Sequence, residues 1–288
     1  MGYLLHIGVM LCIYGILVVS TNLTVGMANL LTLCQAAFYG IGAYIGTFFL
    51  LNLQLPLWLS AFLVLIVTGF FSLIISIASA RLKGDYFILA TLGFQMIVYT
   101  VLYNWVAVTN GNKGIGRIPR VSFFGLDTVH SYFIIATVLL LVTIWVFVRI
   151  QKSPFGRLLR AVKNDELSAL ALGRNTSGIK ARAFFISSSF AGLAGILYAS
   201  FSGYIHPDVF TLDESIFIIT ALFIGGAGNR VRGPLAGALI VVILPELLRL
   251  TGLSSAIVAN LRQIIYGLVL IALVFIRPQG LLGQIEKE

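Results

Sequence analysis

Residues 57–79 read LWLSAFLVLIVTGFFSLIISIAS, an apolar run without a single charged side chain. A helix of about 20 such residues crosses the hydrocarbon core of a bilayer, which is about 30 Å thick. Comparable runs recur from end to end of the 288-residue chain and leave no stretch for a separate soluble domain. The sequence therefore predicts one all-α transmembrane domain over residues 1–288, a bundle of membrane-spanning helices.

Nine segments are apolar enough to span or enter the membrane, and their irregularities widen the expected number to between eight and ten. The second is too long for one straight span, and Gly26, Gly40, Gly42 and Gly46 are expected to break it into a re-entrant piece and a helix. The first lacks a basic region before it and is expected to be a span, not a removed signal peptide. The predicted segments are 4–20, 24–51, 57–79, 85–107, 132–149, 183–203, 214–228, 234–250 and 261–276.

The distribution of charge predicts the orientation in the membrane. The net charge is +9, but the basic residues punctuate apolar runs, which is typical of membrane topology and not of a nucleic-acid binder. Residues 149–182 hold eight Lys and Arg against two acidic residues, so this loop is predicted to be cytoplasmic. Counting spans from there places His206 and Asp208 outside. Residues 108–131 also fall outside although they carry basic residues, and the side of Met1 stays open.

Small residues four positions apart, such as Gly42 with Gly46, Ala191 with Gly195, and Gly233 with Gly237, predict faces where helices pack closely. They serve a dense bundle or a tight partner interface equally well. Cys12 and Cys34 lie inside apolar runs and are expected to be small core residues.

The sequence contains no recognisable motif for catalysis or metal binding. The three histidines are isolated, and neither a catalytic triad nor paired carboxylates lie at membrane depth, so we expect no metal site, no cofactor and no enzymatic activity. The glycine-rich stretch 225–234 lacks the ending of a nucleotide-binding loop and is a turn between spans or a ligand loop. Glu246 and Arg249 can pair on one helix face, as a structural ion pair or as a substrate contact.

The middle of the basic loop, residues 153–173, reads SPFGRLLRAVKNDELSALALG. Pro154 and Gly156 are expected to end the incoming span, and the following residues predict one helix over 157–172, stopped by Gly173. Its apolar stripe is expected to consist of Leu158, Val162, Ala169 and Leu172. Such a helix either contacts a partner or lies on the lipid headgroups.

The end of that helix, SALALG at 168–173, resembles the so-called EAA loop of ABC importer permeases, although Leu167 stands where that motif has Glu. Other stretches resemble the family of branched-chain amino-acid ABC importer permeases, in particular the M-type subunit. Together they cover nearly the whole chain, with Cys34 in place of an expected Gly. They are NLTVG (22–26), QAAFYGIGAY (35–44), KGDYF (83–87) leading to TLG (91–93), TNGNKGI (109–115), GGAGNRVRGPLAG (225–237) and RPQGL (277–281).

The resemblance implies a multi-pass permease of the bacterial inner membrane that carries leucine, isoleucine, valine or related amino acids by alternating access. It implies a second, homologous permease, two cytoplasmic ATPases that hold ATP and magnesium, and a periplasmic or lipid-anchored binding protein as partners, besides membrane lipid. Within loop 150–182, the residues expected to contact the ATPases are Arg160, Lys163, Asp165, Glu166, Ser168, Ala169 and Gly173.

Three polar residues in apolar segments, Asn22, Gln35 and Thr91, are candidates for the substrate path, although helix packing is the commoner use of such residues. Two alternative functions stay open. One is a permease for urea or short amides, and the other is an ATP-independent secondary transporter, which would need charges at the midplane or broken helices. An intramembrane enzyme lacks a catalytic constellation.

Overall fold

Helices form nearly all of the protein in the computed structural model, which describes residues 2–78, 84–120, 128–228, 231–249, 261, 264, 265, 267 and 268. This confirms the all-α class. Side chains are described at these positions except 77, 78, 248 and 249. The helices are α1 (Gly2–Asn22), α2 (Gln35–Leu51), α3 (Leu57–Ala78), α4 (Asp85–Asn104), α5 (Val106–Thr109), α6 (Thr128–Lys152), α7 (Pro154–Asn164), α8 (Glu166–Ala171), α9 (Thr176–Ser202), α10 (Leu212–Gly225) and α11 (Arg232–Arg249).

Five helical stretches of the described chain are long and apolar enough to cross a bilayer, and α2 is a shorter apolar helix. α10 and α11 occupy the predicted segments 214–228 and 234–250. The segment 261–276 lies almost wholly outside the described residues. The protein is thus a multi-pass membrane bundle. The five stretches are Gly2–Met27, Leu57–Ser76, Asp85–Asn104, Thr128–Lys152 and Thr176–Ser202.

The segment predicted at 24–51 is discontinuous, but its break is not at the expected glycines. α1 continues into a π-helical turn, Leu23–Met27, and residues 28–34 form a non-helical connection before α2 begins. We call residues 28–34 the membrane break. Asn29 adopts a left-handed conformation there, with φ of 53°. Gly40, Gly42 and Gly46 lie inside a continuous α2, so the prediction that they interrupt it is wrong.

Those glycines instead let α2 pack directly against α9. A Cβ atom at Gly42 would lie 2.3 Å from both the Cα and the carbonyl oxygen of Gly192, and one at Gly195 would lie 2.1 Å from the carbonyl oxygen of Tyr39. α10 and α11 cross in the same way, since a Cβ at Gly237 would lie 1.9 Å from the carbonyl oxygen of Ala221. The predicted small-residue packing faces are therefore confirmed within this chain.

The packing of α1 shows at which end of the bundle, relative to the basic loop, the described chain begins. The rings of His6 and Phe201 lie 5.0 Å apart, so the first turns of α1 meet the last turns of α9. At its other end, Val19 and Leu23 share a buried cluster with Leu159 of the basic loop. The start of α1 therefore lies opposite the basic loop, and the predicted cytoplasmic position of that loop places it on the outer side.

The end of the bundle opposite the basic loop also carries a short antiparallel pairing of β1 (Ile115–Gly116) with β2 (Tyr204–Ile205). The Tyr99 hydroxyl donates to an Asp208 carboxylate oxygen at 2.9 Å, and the His206 ring nitrogen Nε2 lies 2.7 Å from the carbonyl oxygen of Asn112. Residues 111–116 and 204–208 therefore lie on the same side, as the predicted topology requires despite the basic residues near 113–120.

Two of the predicted polar features fall partly outside the described residues. Within the glycine-rich turn, residues 229 and 230 are not described, and Pro234 lies in the first turn of α11. The side chain of Arg249 is not described either, so its pairing with Glu246 is untested. Glu246 accepts a hydrogen bond from the hydroxyl of Tyr3.

Cys12 and Cys34 are buried free thiols, as expected of core residues.

Candidate coupling surface and membrane helix break

The basic loop folds back onto the bundle at its first turn. Ser153 caps α7 by accepting a hydrogen bond from the Gly156 backbone N–H at 3.2 Å, and Pro154 occupies the first turn, where its missing N–H costs nothing. A Cβ atom at Gly156 would lie 2.3 Å from the carbonyl oxygen of Ile150 in α6. The predicted end of the incoming span at this position is confirmed, and α7 lies tightly against the end of α6.

The predicted single helix over 157–172 is wrong, because Asp165 divides it into α7 and α8. Asp165 has an extended backbone, with φ of −151° and ψ of 102°, and ends α7 while capping α8. Its carboxylate accepts from the backbone N–H groups of Leu167 at 2.9 Å and Ser168 at 3.0 Å, and from the Ser168 hydroxyl. An aspartate that can satisfy the first amides of a new helix competes with continuing the old one.

Gly173 ends α8 as the sequence predicts. It has φ of 73°, a left-handed conformation that glycine adopts without strain. Its N–H donates to the carbonyl of Leu170 at 2.9 Å, and the N–H of Arg174 donates to the carbonyl of Ala169 at 3.1 Å. These two bonds form a Schellman motif. α9 starts at Thr176, so Lys180 and Arg182 belong to that helix and not to the loop.

The apolar stripe of the loop differs from the predicted one. Leu159, Val162 and Ala169 are buried in a cluster with the end of α1 and with α9. Three other leucines face solvent, with exposed fractions of 71% for Leu167, 45% for Leu170 and 80% for Leu172. We call these three the α8 leucine surface. The sequence prediction included only Leu172 of them, because a single continuous helix places the remaining leucines differently around its axis.

The predicted coupling residues therefore have unlike surroundings. Ser168 and Gly173 are exposed beside the α8 leucine surface, whereas Ala169 faces the bundle. The Glu166 carboxylate pairs with the ammonium group of Lys180 in α9 at 2.7 Å, which joins α8 to a membrane helix. Arg160 and Lys163 are half-buried on α7. A contact of any of them with an ATPase stays a prediction.

The cap of α8 depends on the charge of Asp165. The Ser168 hydroxyl, which donates to the Asp165 carboxylate, holds the pKa of that carboxyl below its usual value. A depressed pKa means that the cap contributes fully above the unfolded pKa of about 3.9 and is lost as the pH falls through the lower folded pKa.

We expect the Leu167 and Ser168 amides to lose protection from hydrogen exchange, corrected for intrinsic rates, as the pH falls below about 4. In the Asp165→Ala variant we expect weak protection of these amides at every pH. Asp165→Asn keeps a hydrogen-bond acceptor, so we expect it to keep most of the protection. Equal protection of the two amides in Asp165→Ala and the unaltered protein would contradict the capping role.

The second feature is the membrane break together with the first turn of α2, where three backbone N–H groups are satisfied by side chains from other helices. The N–H of Leu33 donates to the Thr91 hydroxyl at 3.1 Å, that of Ala36 to the Ser215 hydroxyl at 2.9 Å, and that of Ala37 to the Gln95 side-chain oxygen at 2.7 Å. Inside a membrane such groups must find protein partners. α4 and α10 thus complete the start of α2.

Gln95 connects more elements than any residue the sequence analysis singled out near the break. It is fully buried in α4. Its oxygen also lies 3.2 Å from the Ser215 hydroxyl, and its nitrogen donates to the carbonyl of Phe210 at 2.8 Å. The sequence analysis missed Gln95 and Ser215. Both could have been found by the criterion that identified Thr91, which is a polar side chain within an apolar segment. Gln95 lies four residues after Thr91.

The three candidate substrate-path residues all lie around this break and are buried. Asn22 donates to the carbonyl of Gly228 at 2.8 Å and accepts from its N–H at 3.0 Å, and the Gln35 side chain donates to the Ser20 hydroxyl at 3.0 Å. Thr91 accepts from Leu33 as described above. Each side chain thus serves helix packing in this conformation, and a substrate contact at these positions stays a prediction.

Comparison with known proteins identifies the family. A family model for the permease component of the branched-chain amino acid transport system matches residues 3–274. The high-affinity branched-chain amino acid transport system permease protein LivM of Salmonella typhimurium is 34% identical over 98% of this chain and 70% of its own length. LivM of Escherichia coli is 33% identical over 96% of this chain and 69% of its own length.

The permease protein LivH of Salmonella typhimurium, from the same kind of system, is 25% identical over 96% of this chain and 92% of its own length. No solved structure matches the chain. The higher identity to LivM confirms the resemblance to the M-type subunit. With the match to the family model spanning almost all of the described helices, the chain belongs to the family of branched-chain amino acid transport system permease components.

Proposed function

We propose that the chain is the M-type permease subunit of an ATP-driven ABC importer for branched-chain or related hydrophobic amino acids. The observation that carries this proposal is the family match over residues 3–274, since the relatives are named as branched-chain amino acid transport permease proteins. The match to LivH as well as LivM supports a second, homologous permease as partner in forming the path. Residues 1–288 would form one permease domain without enzymatic activity.

The remaining partners follow from the same proposal. Two ATPase subunits would bind at the cytoplasmic side and hold the ATP and magnesium, and a periplasmic or lipid-anchored binding protein would deliver the amino acid from outside. The location would be the bacterial inner membrane. We expect neither a metal nor a cofactor on this chain, and within its described residues no three His, Cys, Asp or Glu side chains are grouped to hold a metal ion.

The α8 leucine surface supports a docking role at the cytoplasmic side. Two exposed leucines on the six-residue helix α8 and a third at the residue after it are a costly surface in water, because burying a leucine side chain gains about 1.5–3 kcal/mol. A groove on an ATPase subunit would gain that energy by covering them. Ser168 and Gly173 lie next to these leucines along the chain and would share the contact.

Contacts on the bundle side of the loop would carry a movement of α8 into the membrane. Ala169 is buried against the bundle, and Glu166 is held by Lys180 in α9. α9 in turn packs on α2 with backbone in contact at Gly42 and Gly192. Helices that touch along their backbones cannot slide independently, so α8, α9 and α2 would move as one unit during alternating access.

The start of α2 would lie where this movement meets the substrate path. Gln35 bonds to Ser20 of α1 and Thr91 of α4 bonds to Leu33, so a shift of α2 and the break against α1 and α4 would rearrange both contacts. Asn22 joins the end of α1 to the turn after α10. Side-chain hydrogen bonds can be exchanged more readily than a helical ladder, which suits a site that opens and closes. In the open state these polar groups would become available to the ends of a zwitterion.

The proposal is tested by uptake of leucine into proteoliposomes that contain this chain, its second permease, the ATPases and the binding protein. We expect uptake only with ATP inside and with all subunits present. Uptake by this chain alone under an ion gradient would overturn the proposal in favour of a secondary transporter. Isoleucine and valine should compete with leucine, whereas ATP-driven uptake of urea or short amides without uptake of leucine would assign the amide importer.

A further inference from the structure

A short segment between β2 and α10 enters the bundle from the end opposite the basic loop, which the predicted topology places outside. It is a 3-10 turn, Pro207–Phe210, and we call it the outer segment. His206 before it and Thr211 after it both have an extended backbone. Apart from bonds inside the turn, its one backbone–backbone hydrogen bond within the described residues joins Val209 to His206 at 3.2 Å. Side chains of other elements therefore hold the outer segment in the bundle.

The polar side chains that hold it form a stripe along α4. Thr91, Gln95 and Tyr99 are spaced four residues apart, so they share one face of the helix at intervals of about 6 Å along its axis. Thr91 bonds to the membrane break, whereas Gln95 and Tyr99 bond to the outer segment. α4 runs toward residues 111–116, at the end opposite the basic loop. The outer segment therefore lies directly outward of the break along α4.

The Gln95 amide joins the outer segment to α2. Its nitrogen donates to the carbonyl oxygen of Phe210 at 2.8 Å, and its oxygen accepts from the backbone N–H of Ala37 at 2.7 Å. One turn further out, the Tyr99 hydroxyl donates to the carboxylate of Asp208 at 2.9 Å. Gln95 is fully buried, so water does not compete for its bonds. These two side chains fix the outer segment against α4 and the start of α2.

The side chain of Phe210 fills the space between the outer segment and α2. Its ring is buried, and its centroid lies 5.0 Å from that of Tyr39, 6.1 Å from that of Tyr44 and 6.3 Å from that of Tyr198. A Cβ atom at Gly40 of α2 would lie only 3.0 Å from the Cβ of Phe210. An amino acid has no room to pass between these surfaces, so the start of α2 is closed from this end.

We infer that the outer segment is the outer gate of the substrate path and that Gln95 is the positioning residue that holds this gate closed. The inference rests on the proposed function, which places the path at the membrane break, and it adds the residues that close the path. Opening the gate breaks the side-chain hydrogen bonds of Gln95 and Tyr99 to the outer segment. It leaves the backbone contact between Gly42 of α2 and Gly192 of α9 intact.

Cys34 lies in the membrane break and is fully buried, so its reaction with a thiol reagent reports opening of the gate. Cys12→Ser makes it the only cysteine of this chain. The full complex without ATP is placed in vesicles, a charged thiol reagent that does not cross membranes is added to one side at a time, and the mass of this chain gives the rate. We expect slow modification of Cys34 from both sides.

Gln95→Met in this background keeps the length of the side chain and removes its amide. We expect Cys34 to react at least about tenfold faster from the outer side and at an unchanged rate from the cytoplasmic side. A purely structural role of Gln95 predicts a looser bundle instead, which would speed modification from both sides and overturn the inference.

The matched control is Thr143→Val in α6, which also removes a buried side-chain hydrogen bond at membrane depth. That bond runs from the Thr143 hydroxyl to the carbonyl of Leu139 in the same helix at 2.7 Å. We expect both rates to match those of the Cys12→Ser protein. An increase from the outer side as large as that of Gln95→Met would overturn the inference.

Tyr99→Phe tests the gate without a change inside the bundle, because it removes only the hydroxyl that bonds to Asp208. We expect about threefold faster modification from the outer side. Thr32→Cys with Cys34→Ser moves the reporter to another buried position of the break, whose hydroxyl makes no hydrogen bond within the described residues. Unchanged outer rates at both reporters, in Gln95→Met and in Tyr99→Phe, would overturn the inference. Leucine uptake by the unaltered complex tests the proposed function separately.

Discussion

Replacing Leu167 and Leu172 together with aspartate is expected to abolish ATP-driven uptake while leaving the membrane bundle folded. Both side chains are exposed and make up most of the α8 leucine surface. Losing the burial of two leucines costs about 3–6 kcal/mol, which weakens docking of an ATPase subunit by more than about a hundredfold. The variant is purified in detergent, tested for association with the ATPases, and assayed for stimulation of ATP hydrolysis by the loaded binding protein.

A matched control separates loss of docking from a general effect of negative charge in the loop. Ala161→Asp adds the same carboxylate to an exposed position of α7, the neighbouring helix. We expect it to keep most of the association and stimulation. If the double leucine variant couples as well as this control, the α8 leucine surface does not dock the ATPase, even if uptake of amino acid by the unaltered complex depends on ATP.

The second large effect is expected from Gly42→Ala in α2. The new methyl group would lie 2.3 Å from the Cα and the carbonyl oxygen of Gly192, far inside van der Waals contact. Overpacking in a core typically costs about 1–3 kcal/mol when side chains can move aside, and here the obstacle is the backbone of α9. We expect a loss of at least about 3 kcal/mol, seen as a much lower unfolding temperature or as failure to accumulate in the membrane.

The natural control is the same substitution at Gly93 in α4, where an added Cβ would meet nothing within 4 Å. Alanine is the better helix former by about 0.5–1 kcal/mol, so Gly93→Ala should keep or raise the unfolding temperature. A fluorogenic thiol reagent reports unfolding directly, because Cys12 and Cys34 are buried in the folded protein. Similar melting curves for the two variants would show that α2 and α9 can separate at this crossing without cost.

Hydropathy predicted most of the membrane helices well because spanning depends on consecutive residues. The run at 57–79 is α3 over residues 57–78, and the run at 132–149 lies within α6. These features depend on local composition and on the lipid, which acts on every segment alike.

The sequence predicted that the segment 24–51 is interrupted, but placed the interruption at the wrong residues. The glycines of α2 were expected to interrupt the helix, whereas Gly42 and Gly46 contact α9 in the structure. The real break at residues 28–34 is stable because Thr91 of α4 accepts a hydrogen bond from Leu33 in the break. Gln95 of α4 and Ser215 of α10 accept from Ala37 and Ala36 in the first turn of α2. Those partners are 58 and 179 residues away along the chain, so no local pattern identifies them.

The basic loop also combines local features that the sequence predicts with non-local ones that it does not. Gly173 as the stop of a helix was predictable, because its left-handed conformation and the Schellman bonds involve only near neighbours. Asp165 as a cap was also local and could have been recognised from its spacing to Ser168. Which leucines face water was not local, since Ala169 is buried against residues of α1 and α9.

The sequence by itself determined that this protein is an all-α membrane bundle, because hydropathy is a property of consecutive residues. Its short motifs also resembled the family that the comparison then confirmed. The side that its basic loop faces stays a prediction from charge. Only the tertiary structure decided that the break lies at residues 28–34, between the π-helical turn and α2, and that nearby polar side chains bond to its backbone and to the start of α2. It also decided that Leu167, Leu170 and Leu172 form the exposed surface. The reason is physical. Hydrogen-bond satisfaction and burial are settled between helices that lie far apart in the chain.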